Sequence, residues 1–143
     1  MQQEYDYILF DCAPNLGYMM LCAIAVSNEI VVPVKPEEGS ASTLPIMLAT
    51  IKTFVNDRDS LFYNKDLKFR GVVATLVKPR TVVHRETISE LSMKYEILGS
   101  IRDSISVTDG FSKGIPVVLN HPTSKPAQEY RALTLELLKG DNS

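Results

Sequence analysis

The sequence predicts an α/β fold, in which a mostly parallel sheet carries helices on both faces and forms three layers. Short apolar runs that hardly alternate recur along the chain, as is typical of strands buried on both faces. Segments with a helical period separate these runs, so strands and helices alternate. The 143 residues are 45% hydrophobic and 22% charged, which is typical of a globular protein. We therefore expect a single domain over residues 1–143.

The first half of the chain contains two predicted strands and two predicted helices. Tyr5 to Phe10 (YDYILF) is typical of a buried strand, and the apolar segment from Tyr18 to Val26 predicts a buried helix. Glu29 to Val34 predicts the second strand. Ser40 to Val55 has the clearest helical period, with apolar residues at i, i+3, i+4, i+7 and i+11. Those apolar residues are Leu44, Met47, Leu48, Ile51 and Val55.

The second half continues the alternation. Its predicted strands are three apolar runs: Phe69 to Leu76, Ile97 to Ile101 and Pro116 to Leu119. Its predicted helices run from Thr81 to Tyr95 and from a cap at Ser124 to a stop at Gly140. Asp103 to Lys113 is polar and rich in turn residues, so we expect a loop there.

One edge of such a sheet is where ligands bind, because in open parallel sheets they occupy the crevice beyond the carboxyl ends of the strands. The residues that the predicted topology places on that edge are Asp11, Pro36, Thr75 to Arg80, Arg102 and residues 120–124.

Asp11 is the first candidate for chemistry, since it ends an apolar run and precedes the small-residue turn Cys12 to Pro14. This ending is Walker-B-like, because a carboxylate held at a strand tip can orient Mg²⁺ through water beside the phosphates of a nucleotide. Strands also end in aspartate for purely structural reasons, as a cap or turn residue, and the motif alone favours that simpler interpretation.

A phosphate-binding loop is not found in these 143 residues. None of the seven glycines lies in a G-x-x-x-x-G-K-[ST] pattern, so no nest of backbone N–H groups and no lysine are available for the β- and γ-phosphates. Lys113-Gly114 leads into a predicted strand rather than a helix, which excludes it as a substitute.

Five motifs in order resemble the ParA/Soj-type, MinD-related family of partition ATPases, and together they cover nearly the whole chain. The first, Tyr5 to Gly17 (YDYILFDCAPNLG), resembles the switch II region of that family. The other four are Ile30 to Glu37 (IVVPVKPE), Gly71 to Thr81, Ile101 to Val117, and Ser124 to Glu136 (SKPAQEYRALTLE). Within the fourth motif, Arg102 stands where the family usually has proline.

This resemblance implies a P-loop NTPase-like fold of the ParA (SIMIBI) type, with the P-loop, the first strand and switch I upstream of Met1. It implies that ATP or ADP and Mg²⁺ are the cofactors, with Asp11 on the magnesium side. Pro14, Asn15 and Gly17 would form the switch II hinge. Thr75 and the turn at Arg102 and Asp103 would border the adenine. The chain without its P-loop is expected not to hydrolyse ATP.

The resemblance also implies partners: a homodimer or pairing through an uncovered sheet edge, a ParB-like protein, and DNA bound without sequence specificity. Candidate DNA contacts are the basic residues Lys78, Arg80, Arg85, Arg102 and Lys113. The simpler interpretation is that these are solvated charges, since Glu86, Glu90, Asp103 and Asp109 offset them. The net charge of −2 argues against wholesale coating of nucleic acid.

Two function classes remain open. The chain is either a member or fragment of a ParA-type ATPase, or a non-catalytic module that pairs with a full-length ATPase of that type. A MinD-like membrane cycle is disfavoured, because the residues after Leu138 (KGDNS) form no basic amphipathic helix.

The remaining signals predict a cytoplasmic chain without a membrane span. The longest apolar run, Leu16 to Val26, is shorter than the ~20 residues that a span needs. Cys12 and Cys22 lack metal-ligand spacing and are expected to stay reduced. His84 is expected on a helix surface and His121 in a loop, neither of them catalytic.

Overall fold

The computed structural model describes residues 4–13, 15 and 17–139. Within that part, helices and strands alternate for most of the chain. In order they are α1 (Tyr18–Val26), β1 (Glu29–Val34), α2 (Ser40–Asn56), β2 (Lys68–Val77), α3 (Val82–Ser92), β3 (Ile97–Arg102), α4 (Ile105–Ser112), α5 (Val117–Asn120) and α6 (Lys125–Leu138). None of the helices in the described part is both long and apolar enough to cross a bilayer.

The three strands of the described part form one sheet in the order β1-β2-β3. β2 and β3 are parallel, with Val72 opposite Ile97 and Val77 opposite Arg102, and α3 makes the crossover between them. Such a crossover is what parallel neighbours require. The predicted α/β fold with a parallel sheet is therefore confirmed.

The chain forms two compact units, each made of two chain segments. The first unit comprises Met1–Ile30 and Ile46–Phe69, and the second comprises Val31–Pro45 and Arg70–Ser143. The single domain over residues 1–143 stays a prediction.

The core of the first unit contains the predicted inward face of α2. Ile51 and Val55 are buried against Ile24 of α1, four residues apart on one face of their helix. Partly buried residues extend this cluster: Met20, Ile30, Met47 and Leu67. Asn64 closes the end of α1, because its side-chain amide donates to the carbonyls of Ile24 (2.9 Å) and Ser27 (2.8 Å).

The core of the second unit lies between the β2–β3 ladder and α6. Val73, Leu98 and Ile101 are buried there, and partly buried Val31, Leu133 and Leu137 pack against them. The predicted cap of α6 is confirmed, since the Ser124 hydroxyl accepts from the Ala127 N–H at 3.4 Å. The predicted stop at Gly140 lies outside the described residues.

The predicted strand from Tyr5 to Phe10 is wrong for this structure. Residues 5–10 carry no strand, and their side chains are exposed, with Leu9 at 91%. A strand exists only where a neighbour completes its hydrogen bonds, and no described strand pairs with this segment. An apolar run predicts that a segment can form a strand, but the strand forms only when a neighbouring strand pairs with it.

Two predictions for residues 103–119 are also wrong. Ile105–Ser112 is a helix rather than a loop, because the Ser104 hydroxyl accepts from the Ser106 N–H at 3.3 Å and caps its start. Val117–Asn120 is a short helix rather than a strand, and the Pro116 carbonyl accepts from the N–H groups of Leu119 and Asn120. Proline suits a helix start, where its missing N–H costs nothing.

Helix α1 is buried on one side only, so the prediction of a buried helix over Tyr18 to Val26 is wrong for its other side. Leu21 and Ile24 are buried, whereas Tyr18, Met19 and Val26 are exposed. Helix α1 is apolar all round, so its orientation in the first unit leaves one apolar side facing solvent.

Candidate functional site

The carboxyl ends of β2 and β3 meet in the second unit and bring three predicted site residues to one edge. The Asp103 N–H donates to the Val77 carbonyl at 2.9 Å, directly beyond the last register pair, Val77 and Arg102. Thr75 lies two residues before the end of β2 and is partly buried. Thr75, Arg102 and Asp103 therefore lie at the strand ends where the topology predicted them.

Arg102 is tied to α6 by a bidentate contact with Glu129. One carboxylate oxygen accepts from the Arg102 backbone N–H at 2.9 Å, and the other accepts from its Nε at 2.7 Å. The Glu129 side chain is only 22% exposed. This arrangement satisfies the backbone N–H at the end of β3 and fixes the guanidinium against α6. The contacts of Arg102 in this structure are therefore structural.

The end of β2 is irregular at this same edge. Leu76 has a φ of +52°, a left-handed conformation that is uncommon for a branched side chain. The β2–β3 register shifts between Ala74 and Val77, so Thr75 and Leu76 leave the regular ladder. Strained backbone of this kind concentrates at functional sites, and here it lies at the predicted ligand edge.

His84 is buried, which corrects the prediction of a surface position. It is 7% exposed, and its Nδ1 accepts the Lys78 N–H at 3.2 Å. A ring nitrogen that accepts a hydrogen bond carries no proton, so this contact places the ring N–H on Nε2. His84 thus anchors the turn between β2 and α3.

Asp11 lies in the first unit and is exposed in a stretch without regular secondary structure. The prediction of a rigid strand tip at Asp11 is therefore wrong in this structure, because the strand that would hold it is not formed. The neighbouring Cys12 Sγ donates to the Phe10 carbonyl at 3.7 Å, a local turn contact. Pro14 lies outside the described residues.

Most of the predicted DNA-contacting side chains face carboxylates. Lys78 lies 3.8 Å from Asp103, Arg102 binds Glu129, and Lys113 lies 2.8 Å from Asp109. Arg80 and Arg85 are exposed, and no ion pair involves either of them in the part of the chain that the structure describes. Carboxylates therefore offset the charge of three of the five basic residues, as the sequence suggested. Lys78 and Lys113 pair with Asp103 and Asp109, which the sequence named, whereas Arg102 pairs with Glu129.

Asp109 organises the segment that follows the edge. A single oxygen, Oδ2, receives Lys113 Nζ (2.8 Å), Asn120 Nδ2 (2.9 Å) and His121 Nε2 (2.8 Å). The hydrogen bond from Lys113, followed by those from His121 and Asn120, holds the pKa of Asp109 well below its ordinary value of 3.8. This carboxylate joins α4 to α5.

Glu129, His84 and Asp109 were not predicted as site residues. Glu129 lies five residues after the Ser124 cap, near the start of α6, where a carboxylate can reach a neighbouring strand end. This position relative to the cap was the sequence feature that could have indicated its role. A lone histidine such as His84 carries no such signal, because its partner is a backbone N–H.

The described residues do not by themselves fit a magnesium triphosphate. No group of three or more histidine, cysteine, aspartate or glutamate side chains converges for a metal ion in residues 4–13, 15 and 17–139. The printed sequence supplies no glycine-rich nest for the phosphates.

Comparisons with known proteins point in one direction. A family model described as an AAA domain matches residues 1–69. The sporulation initiation inhibitor protein Soj of Bacillus subtilis is 29% identical over 140 residues, which are 96% of this chain and 53% of that protein. The chromosome partitioning protein ParA of Myxococcus xanthus is 29% identical over 143 residues, 96% of this chain and 48% of that protein. The chain spans about half the length of these relatives.

Solved structures agree on the fold. The cell division ATPase MinD of Pyrococcus furiosus matches with a TM-score of 0.73 at 23% identity, over 94% of this chain and 52% of that one. The septum site-determining protein MinD of Pyrococcus horikoshii, solved with Mg-ADP, matches with a TM-score of 0.70 at 20% identity, over 97% of this chain and 53% of that one. At these identities the likeness establishes the fold alone.

Proposed function

We propose that this chain, which belongs to the ParA/Soj-type, MinD-related family of partition ATPases, supplies one half of an ATP-switched protein that partitions DNA. The observation that carries the proposal is coverage: relatives named Soj and ParA align with nearly all of this chain and extend to about twice its length. The five motifs lie in family order along the same residues.

The proposed role of the second unit is to border the nucleotide base. Thr75 and Asp103 lie at the carboxyl ends of β2 and β3, where parallel sheets bind ligands. The irregular end of β2 at Leu76 supports this assignment, since strained backbone concentrates at functional sites. Arg102 is assigned to holding α6 at this edge, because Glu129 binds its guanidinium.

The proposed role of Asp11 is the magnesium-side carboxylate of the complete protein. It is exposed and lies in the switch-II-like segment, so it is available to residues outside the 143. The chain alone is proposed not to hydrolyse ATP. A single carboxylate, without a loop of backbone N–H groups around the phosphates, binds a nucleoside triphosphate too weakly for turnover.

The proposed partners are a second subunit, a ParB-like protein and DNA. DNA contacts are assigned to Arg80 and Arg85, because carboxylates neutralise the other three candidates. Such binding would act through phosphate neutralisation and would weaken steeply with salt. Changing Arg80 and Arg85 together to alanine in the complete protein should lower DNA affinity, with a salt slope reduced by about 2.

A second candidate function is a non-catalytic module that pairs with a full-length ATPase of this type. The exposed apolar run favours it: Tyr5, Tyr7, Ile8, Leu9 and Phe10 are all at least 44% exposed, and an exposed strand-like segment is a template for another chain. In that case the chain would act by association alone.

The DNA upstream of the Met1 codon separates these two functions. The ATPase proposal expects the reading frame to continue upstream into a glycine-rich K-G-G-x-G-K-T stretch. A stop codon followed by a dedicated ribosome-binding site before Met1 would contradict it and favour the module. A pull-down with the full-length relative encoded in the same genome would then measure the association directly.

A further inference from the structure

The turn that carries Arg80 is held by a buried histidine side chain. The sequence KPRT, from Lys78 to Thr81, forms a β-turn in which the Lys78 carbonyl accepts from the Thr81 N–H at 3.0 Å. Pro79 occupies the second position of this turn, where the proline ring restricts φ. The Lys78 N–H donates to Nδ1 of His84 at 3.2 Å. Both backbone polar groups of Lys78 are therefore bonded within this short segment.

The same segment continues into the first turn of α3, which carries Arg85. The Thr81 carbonyl accepts from the Arg85 N–H at 3.3 Å. One series of hydrogen bonds thus runs from the His84 ring through Lys78 and Thr81 to Arg85. Arg80 lies inside this series, and Arg80 and Arg85 are the residues to which DNA contact is assigned. The backbone that carries both guanidinium groups is therefore ordered by a network in which His84 is the side-chain member.

The β2–β3 ladder does not hold this segment. The last register pair of the ladder is Val77 with Arg102, so Lys78 lies beyond it. The ladder is already irregular before that pair, since its register shifts between Ala74 and Val77. A backbone N–H beyond a ladder needs another acceptor, and a turn without one samples more conformations. His84, which is 7% exposed, supplies that acceptor from a buried position.

We propose that His84 is a positioning residue for the DNA contact of Arg80. This inference rests on the DNA contact proposed for Arg80 and Arg85. The His84 ring does not touch DNA; it holds the turn in one conformation before DNA binds. Binding then does not have to order the backbone that carries the Arg80 guanidinium, and such preorganisation raises affinity by lowering the ordering cost. The expected contribution of His84 is about 2- to 10-fold in DNA affinity.

The test compares two substitutions of His84 in the full-length protein, with DNA affinity measured by fluorescence anisotropy on a labelled duplex of mixed sequence. His84→Leu fills the buried position but removes the acceptor, and should lower the affinity about 2- to 10-fold. His84→Asn keeps an acceptor, because its amide oxygen can take the place of Nδ1, and should stay within about 2-fold of the unmodified protein. No loss in His84→Leu, or equal losses in both variants, would overturn the proposal.

A double-mutant cycle separates the positioning of Arg80 from a general loss of structure. In an Arg80→Ala background, His84→Leu should have no further effect on DNA affinity, because the side chain that it positions is gone. Leu91→Val is the matched control, since Leu91 is 1% exposed near the other end of α3 and its substitution lowers stability. This control should leave DNA affinity unchanged. Additive losses in the cycle, or a loss in Leu91→Val equal to that in His84→Leu, would contradict the positioning role.

Amide hydrogen exchange distinguishes failure of this inference from failure of the proposed DNA contact. His84→Leu should speed exchange of the Lys78 N–H, whose acceptor it removes, more than Leu91→Val does. Unchanged exchange at Lys78 would show that the ring does not hold the turn, and the inference alone would be wrong. Faster exchange, together with unchanged DNA affinity when Arg80 and Arg85 are both changed to alanine, would contradict the DNA contact and with it the role of His84 in binding.

Discussion

Glu129→Ala tests whether α6 is anchored to the strand ends of the second unit as the structure indicates. The substitution leaves the Arg102 backbone N–H without its acceptor, which costs about 1–3 kcal/mol when the group is largely buried. It also removes the contact at Arg102 Nε, which adds about 0.5–1 kcal/mol after discounting for a guanidinium that is partly exposed. We expect a loss of about 1.5–4 kcal/mol in the free energy of unfolding.

Urea unfolding followed at 222 nm measures this loss, and an unchanged m-value shows that the same surface is exposed on unfolding. Glu136→Ala is the matched control on the same helix, because Glu136 makes an exposed ion pair with Lys139 and should cost no more than about 0.5 kcal/mol. A double-mutant cycle with Arg102→Ala should give a coupling energy of about 1 kcal/mol or more. If Glu129→Ala costs no more than the control, the anchoring argument is refuted.

Three further predictions concern the same unit. Gly110→Ala should lower the free energy of unfolding by about 1–3 kcal/mol, since the added Cβ would lie 2.6 Å from the Ile115 carbonyl oxygen; a urea titration with no loss would contradict this. The pKa of Asp109 is lowered by folding, so its stabilisation is present above its ordinary value of 3.8 and is lost as the pH falls below it. The stability difference between the unmodified chain and Asp109→Asn should therefore be constant from about pH 5 to 7 and should shrink below about pH 4; a constant difference down to pH 3 would contradict the sign. Leu76→Gly should be neutral or stabilising by up to about 1 kcal/mol, because glycine adopts the φ of +52° without strain, whereas Leu76→Val should destabilise; thermal melts distinguish the two.

Much of the fold could be predicted, because the spacing of apolar residues indicates which face of a helix or strand is buried. Glu29–Val34 appeared as a continuous apolar run and is β1, and the face containing Ile51 and Val55 is buried as predicted. The resemblance to the ParA/Soj family rested on five motifs in order and is confirmed by relatives that align with most of the chain.

The rest depended on contacts that a linear pattern does not encode. Four apolar residues around Val117 fit a strand or a helix equally well, and only the Pro116 carbonyl bonds decide between them. The segment from Tyr5 to Phe10 has strand character in its sequence but forms no strand in the described structure. His84 is buried with its Nδ1 accepting the N–H of Lys78, six residues earlier, and a linear pattern does not encode this contact.

The proposed inactivity of the isolated chain is tested by measuring magnesium-dependent phosphate release from ATP by the purified 143 residues, with Asp11→Ala in parallel. We expect no release above the protein-free blank for either protein, because this sequence contains no G-x-x-x-x-G-K-[ST] loop to hold the triphosphate. Release by the unmodified chain that disappears in Asp11→Ala would show that these residues hold a complete catalytic site, and the proposed inactivity would be wrong.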